Sequence, residues 1–294
     1  MSNHSTIIIT GSSGFIGSSL VSYFLKLGFR VRAFQRSLPK QKSPPAAYYS
    51  FDLADVQDQG FAGANYLIHC AYRPIISRQD KESDVNIDIE GTKKIISLSR
   101  KHAIKMVFLS TVSAHSNAES YYARHKLLAE DLFDIKKDLI LKLGLVLGSG
   151  GGLFGKIVSS LKNHKIVPLV GGGRQRIQTI ALDDLCRIIE IGINKNIVGN
   201  FTIAHPSIIT MNELYRKMAH CIGVQPLFIP VPLAVTYRFS QLMEKMDFKL
   251  PFTSENVLGL KDLKTFNTNP GLEVFGLKIK DYKTTLNQLN PHII

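Results

Sequence analysis

Apolar and polar positions alternate along the first half of this chain in a repeating order. A short β-branched run is followed each time by a longer stretch with apolar residues every three or four positions. Thr6-Ile7-Ile8-Ile9-Thr10 is apolar on both faces, the composition of a strand buried in a parallel sheet. From Ile16 to Leu27 the apolar residues Ile16, Leu20, Val21, Phe24, Leu25 and Leu27 recur at helical spacing, and Gly28 is the stop. The same reading predicts strands over 28–34, 48–51, 66–71, 105–110 and 139–147. It predicts helices over 84–100, with Val85, Ile89 and Ile96 on the apolar face, and over 121–136. Strand and helix in turn argue α/β architecture: a doubly wound parallel sheet with helices on both faces. After Gly148-Ser149-Gly150-Gly151-Gly152 the pattern loosens, and Pro226, Pro230 and Pro232 precede a helix near 233–246.

Between the first strand and first helix stands Thr10-Gly11-Ser12-Ser13-Gly14-Phe15-Ile16-Gly17. A strand-to-helix turn with this glycine spacing suits a pyrophosphate. Gly11 permits the turn, Gly14 lets phosphate approach backbone N–H groups, and Gly17 lets the helix pack on the strand. The helix N-terminus favours the anion. At the end of the second strand, dinucleotide folds that prefer NAD place a carboxylate for the ribose 2′-hydroxyl. Here Gln35 and Arg36 stand instead. A guanidinium can clamp a 2′-phosphate, with Arg32 and Ser12 in support, so the expected cofactor is NADP, with NAD as the alternative. The bland reading makes Arg36 the start of a basic exposed loop ending near Lys42.

Tyr122-Ala123-Arg124-His125-Lys126 puts a phenol and an ammonium four residues apart on one predicted helix. A phenol is a poor base at neutral pH, and a neighbouring cation favours phenolate. The pair can then move a proton while hydride moves. With the Gly-x-x-Gly-x-x-Gly turn upstream, this resembles the short-chain dehydrogenase/reductase superfamily, in its extended and atypical branches, which include nucleotide-sugar epimerases, dehydratases and reductases. The resemblance covers the whole chain, strongly to about residue 147 and weakly beyond Asp184.

It implies a Rossmann-type sheet over residues 1–150 and a smaller substrate-binding lobe over 151–294, with strands near 176–181 and 200–204 returning to the sheet. It also implies a set of cofactor contacts: Gly11, Ser12, Ser13, Gly14, Phe15, Ile16, Gly17, Gln35, Arg36, Asp52, Leu53, Ala71, Tyr122 and Lys126. Phe51-Asp52-Leu53 resembles the family's adenine-binding pair. His69-Cys70-Ala71 resembles the motif that passes beneath the cofactor, with Tyr72 in place of a small residue. The catalytic hydroxyl lies four residues before an aromatic in the family. His115 fills that place and selects Thr111, with Ser110 and Ser113 as alternatives. Arg176, ahead of Leu182-Asp183-Asp184-Leu185, is the candidate for a substrate phosphate, and a surface arginine is its bland reading. There are departures. Asp88 holds the family's asparagine position, Lys142-Leu143-Gly144 replaces Arg-Pro-Gly, Ala181 replaces a histidine, and the Thr111–Tyr122 segment is short.

The expected activity is oxidoreduction of a nucleotide-activated sugar, as an epimerase or 4-keto reductase. The rivals are a non-catalytic NADP(H)-binding subunit or regulator, and a reductase of a small carbonyl or alcohol. Net charge is +13 over 294 residues, a field that draws phosphorylated ligands. No nucleic-acid module is visible, and no apolar run is long enough to span a bilayer. Cys70, Cys186 and Cys221 lack metal-ligand spacing, so no metal is expected and reduced, cytoplasmic thiols are. A homodimer is compatible with this reading.

Overall fold

The computed structural model describes residues 5–39, 46–73, 81–246, 248 and 252–289, with side chains left out at 81–85. Lys40, Lys42 and the side chain of Val85 therefore lie outside the described residues. The strands are β1 (Thr6–Thr10), β2 (Arg30–Gln35), β3 (Ala47–Ser50), β4 (Tyr66–His69), β5 (Lys105–Thr111), β6 (Leu139–Leu143), β7 (Leu145–Leu147), β8 (Ile166–Val170), β9 (Arg176–Ile177), β10 (Thr179–Ala181), β11 (Gly199–Ile203), β12 (Ile209–Thr210) and β13 (Leu227–Val231). The helices are α1 (Phe15–Lys26), α2 (Lys81–Lys101), α3 (Tyr121–Glu130), α4 (Gly152–Asn163), α5 (Leu182–Asn194), α6 (Met211–Ile222), α7 (Leu233–Lys245), α8 (Ser254–Lys261), α9 (Asn269–Phe275) and α10 (Tyr282–Gln288).

Seven strands form one sheet in the order β11-β6-β5-β4-β1-β2-β3. From β3 to β5 the pairing is parallel, with Ile8 of β1 opposite Arg32 on one side and Leu67 on the other. Ile7, Ile8 and Ile9 are wholly buried, as a strand covered on both faces must be. The fold is a Rossmann-type α/β sheet flanked by helices.

The chain divides into two compact units: Met1–Ser110, His125–Lys142 and Leu185–Phe201, then Thr111–Arg124, Leu143–Asp184 and Thr202–Ile294. In the first, Phe34 packs its ring against Tyr49, Phe51 and Phe61. In the second, Phe154, Ile157 and Leu161 of α4 share a core with Leu214 and Met218 of α6. Thr210 and Glu213 close a capping box on α6, which ends at Gly223 in the left-handed region.

Several expectations are corrected. The strand expected over 139–147 is broken at Gly144. Its N–H reaches the carbonyl of Ile203, while the next N–H, of Leu145, reaches that of Gln178. A Cβ at Gly144 would lie 2.5 Å from Gln178 O. The ladder changes partner here, so β10 pairs with β7, and β9 pairs with β12. Residues 176–181 therefore do not return to the main sheet, whereas β11 lies in it beside β6. The helix expected to run to 136 ends at Glu130. The N–H groups of Leu132 and Phe133 bond three residues back, and the turn lays Phe133 on the Phe108 ring at 4.5 Å. The fourth strand ends at His69 rather than Ala71, because the N–H groups of Cys70 and Ala71 turn to the Thr10 hydroxyl.

Candidate active site

In the first unit, α1 begins with Gly14 at its N-cap, where no side chain caps the helix. The first-turn N–H groups are thus presented to a ligand, the arrangement that holds an anion. Gly11 has φ +65°, and a Cβ there would meet the Ala71 backbone at 2.9 Å. A Cβ at Gly17 would lie 2.2 Å from the carbonyl oxygen of Gly11. Ser13 and Gly14 are exposed at the tip, with Phe15 and Ile16 half-buried behind them. This cradle of backbone with no side chain in it fits a dinucleotide pyrophosphate.

Ser12 donates to the Gln35 side chain at 3.0 Å, and Gln35 donates to the carbonyl of Ser37 at 2.8 Å. Gln35 therefore shapes the loop that carries the exposed Arg36. Arg32, expected to assist Arg36, is committed elsewhere: its guanidinium donates to the carbonyls of Gly60 and Ala62 at 2.7 Å each. Asp52 accepts from the Ala54 N–H at 2.9 Å, and Leu53 is buried beside it.

Lys126 is 7% exposed and donates to the Leu109 carbonyl at 2.9 Å. Its ammonium stands 4.7 Å from the Phe108 ring centre and 5.7 Å from that of Tyr72. Burial lowers its pKa to about 8, and the carboxylates of Asp88 and Glu130 oppose the shift. Asp88 accepts from the Arg73 N–H and lies 3.7 Å from the His125 ring. Glu130 is held by Ser110 and by Lys142 at 3.0 Å. Ser110, an alternative to Thr111, is thereby tied to Glu130.

Thr10 fixes the strand ends. Its hydroxyl accepts from the N–H groups of Cys70 and Ala71, so it donates to His69 Nδ1 at 2.8 Å. His69 Nε2 then carries the proton and donates to Thr92 at 3.2 Å. Burial, then the Lys126 charge, push the His69 pKa down to about 3. The folded state holds this ring neutral, while the unfolded chain protonates it below about 6.5. Between those values the unfolded state binds more protons. The stability His69 contributes is thus complete above about pH 6.5 and is lost as pH falls towards 3. Urea midpoints of the native protein should fall across this window, more steeply than those of His69→Asn. Equal slopes would mean that the ring titrates in the folded protein.

In the second unit, Thr111 ends β5 with its hydroxyl near the Tyr122 phenol, and it accepts from the Ser113 N–H at 3.3 Å. Tyr122 is 40% exposed, yet burial around its hydroxyl raises the phenol pKa, and the nearby Thr111 hydroxyl acts to lower it. Tyr122 and Lys126 stand one helical turn apart on α3. The N-terminus of α3 is held by residues far along the chain. Asp262 accepts the N–H groups of Glu119 and Ser120 at 2.8 and 2.7 Å, and Glu255 accepts that of Tyr121 at 2.8 Å. His115 meets the Asp262 carbonyl at 2.9 Å. Nothing in the sequence marks Asp262 or Glu255, because their partners lie 134–143 residues away. Asp262→Ala leaves the buried Ser120 N–H and the partly buried Glu119 N–H unmet. It should cost about 1–3 kcal/mol by denaturant midpoint and depress kcat with little change in NADPH affinity. An unchanged kcat would show that α3 holds Tyr122 without this cap.

Arg176 is exposed on β9, opposite Thr210. A cavity of about 650 Å³ in the same unit is lined by Gly148–Gly152, Phe154, Lys156 and Lys162, and Arg176 is not part of it. Among the described residues no cluster of three or more His, Cys, Asp or Glu could hold a metal ion, and no helix is long and apolar enough to cross a membrane.

A model of the NAD dependent epimerase/dehydratase family matches residues 7–203, about two thirds of the chain. The protein belongs to this family. Membership makes it an NAD(P)-dependent enzyme of the oxidoreductase type. This epimerase/dehydratase-family chain is 22% identical over 292 residues to the mitochondrial NADH dehydrogenase [ubiquinone] 1 alpha subcomplex subunit 9 of Arabidopsis thaliana, covering 93% of this chain and 72% of that one. Its fold is similar to that of MoeE5 in complex with UDP-glucuronic acid and NAD (TM-score 0.74, 17% identity, 97% of each chain covered). It is also similar to the human epimerase family protein SDR39U1, isoform 2, with NADPH (TM-score 0.73, 18% identity, 97% and 98% covered). At these identities the structural likeness carries the fold alone.

Proposed function

We propose that this family member oxidises or reduces the sugar of a nucleotide-activated sugar, as an epimerase or 4-keto reductase, and prefers NADP(H). The observation that carries the reading is Tyr122, its phenol near the Thr111 hydroxyl, one helical turn before the buried Lys126. In this reading Tyr122 passes the proton to or from the substrate oxygen, and Thr111 orients that oxygen. Lys126 favours the phenolate and, with Gly11–Gly17, holds the cofactor. When bound, the nicotinamide supplies hydride transfer. Arg36 and the absence of an acid at Gln35 support the 2′-phosphate. NADPH should bind about tenfold more tightly than NADH, the worth of a charge-assisted hydrogen bond. Titration giving equal affinities would remove the preference.

The 650 Å³ cavity at the start of α4, lined by Lys156 and Lys162, supports a diphosphate there. The expectation that Arg176 holds it has no support from this cavity, which Arg176 does not line. The test is competition by uridine and thymidine diphosphates on the cofactor-loaded protein. Failure of both to bind leaves a small-carbonyl reductase. The likeness to a subunit of an NADH dehydrogenase favours a second reading, an NADP(H)-binding subunit without turnover. Absence of turnover with both nucleotide sugars and a carbonyl panel would select it.

A further inference from the structure

Helix α7 is inside out. Its buried positions are Thr236 and Ser240, whose hydroxyls bond back to the carbonyls of Pro232 and Thr236. Leu233, Tyr237 and Met243 are half-buried, but a further set of large apolar residues faces solvent. Val235, Phe239, Leu242 and Met246 recur every three or four positions along one stripe, and each is 48–62% exposed. Phe248 follows at 66%. The ladder just before α7 shows the same inversion. Val167 and Leu169 of β8 are buried, while Ile166 and Pro168 and their partners Leu227 and Ile229 of β13 are exposed. A helix patterned for its own core would carry the apolar stripe inward, so this stripe is shaped for something outside the chain.

The charges beside it choose the occupant. Over 156–170 and 224–248 the acids are Glu244 and Asp247, against Lys156, Lys162, Lys165, Arg238 and Lys245. Glu244 is engaged by the N–H and hydroxyl of Ser254. Lys165, Arg238 and Lys245 are exposed. A second copy would set this cationic rim against its own like. An anionic lipid surface accepts both the apolar stripe and the cations, and the net charge of +13 adds to the attraction. We propose that α7 docks this protein on an anionic phospholipid bilayer, lying in the interface with Phe239 and Leu242 among the acyl chains and Arg238 and Lys245 at the headgroups.

The test is co-sedimentation with vesicles of phosphatidylcholine alone and of phosphatidylcholine with phosphatidylglycerol. The native protein should partition to the anionic vesicles and be released by salt. Phe239→Ser/Leu242→Ser should reduce that partitioning about tenfold or more, and so should Arg238→Glu/Lys245→Glu. All four positions are exposed, so thermal midpoint and NADPH affinity should be unchanged, which separates docking from folding. No partitioning of the native protein overturns the proposal. So does full partitioning of the Phe239→Ser/Leu242→Ser variant, which would place the lipid contact elsewhere. Self-association that this variant abolishes, with no vesicle binding, would assign the face to a second copy.

Discussion

Tyr122→Phe should lower kcat by about a hundredfold or more and leave NADPH affinity almost unchanged. The substitution removes one oxygen and little volume, and the ring keeps its place on α3. What is lost is the phenol oxygen near Thr111, the group that would pass the proton. Positioned acid–base catalysis is worth about 10²–10⁴ in rate. A pH profile gives an independent reading. Lys126 has a pKa lowered to about 8 by burial, so its ammonium is present below that value and fades above it. The rate limb that depends on a charged Lys126 should therefore fall as pH rises past about 8. Full turnover by Tyr122→Phe, with any substrate the native protein accepts, would falsify the catalytic assignment.

Gly17→Ala should weaken NADPH binding by at least about tenfold and cost about 1–3 kcal/mol of stability, the usual range for overpacking. The added methyl would sit 2.2 Å from the oxygen and 2.8 Å from the carbon of the Gly11 carbonyl, and 3.0 Å from the Ser12 Cα. All three are backbone atoms, with no flexible side-chain end to swing away. Either α1 or the turn must move, and with it the N–H groups proposed to hold the pyrophosphate. Gly14→Ala is the contrast. Its Cβ would lie 3.2 Å from Gly11 O, a contact the loop can relieve by a few tenths of an ångström, so its effect on folding should be smaller. Titration with NADPH and urea denaturation measure both. Native-like binding by Gly17→Ala would show that the turn is slack and that the close approach of Gly17 has no part in holding a ligand.

The legible features of this chain are local ones. The strand at Thr6–Thr10, the helix from Phe15 and the glycines between them follow from neighbours in sequence, because backbone conformation and apolar periodicity are set within a few residues. The same holds for the Tyr122–Lys126 spacing and for the run that ends at Thr111. The order of elements was legible too, since strand and helix in alternation leave few ways to pair a parallel sheet. Arg36 could be found in the sequence, but the commitment of Arg32 to the carbonyls of Gly60 and Ala62 could not, because it depends on where a loop 28–30 residues later folds back.

Tertiary structure decided what pairs across long separations. Gly144 looked like the interior of one strand until its neighbours Ile203 and Gln178 took its N–H and the next one. α3 ends early where the Leu132 and Phe133 N–H groups turn to carbonyls three residues back and Phe133 stacks on Phe108, a contact made across 25 residues that helix propensity does not record. Asp262 and Glu255 reach the start of α3 across more than 130 residues, and no periodicity records such a contact. The sequence by itself determined a nucleotide-binding sheet and offered the residues proposed for its chemistry. Only the folded chain decided which carboxylates hold the tyrosine helix, which thiol and acids surround Lys126, and that α7 turns its apolar side outward, because burial and pairing are properties of the whole packed chain.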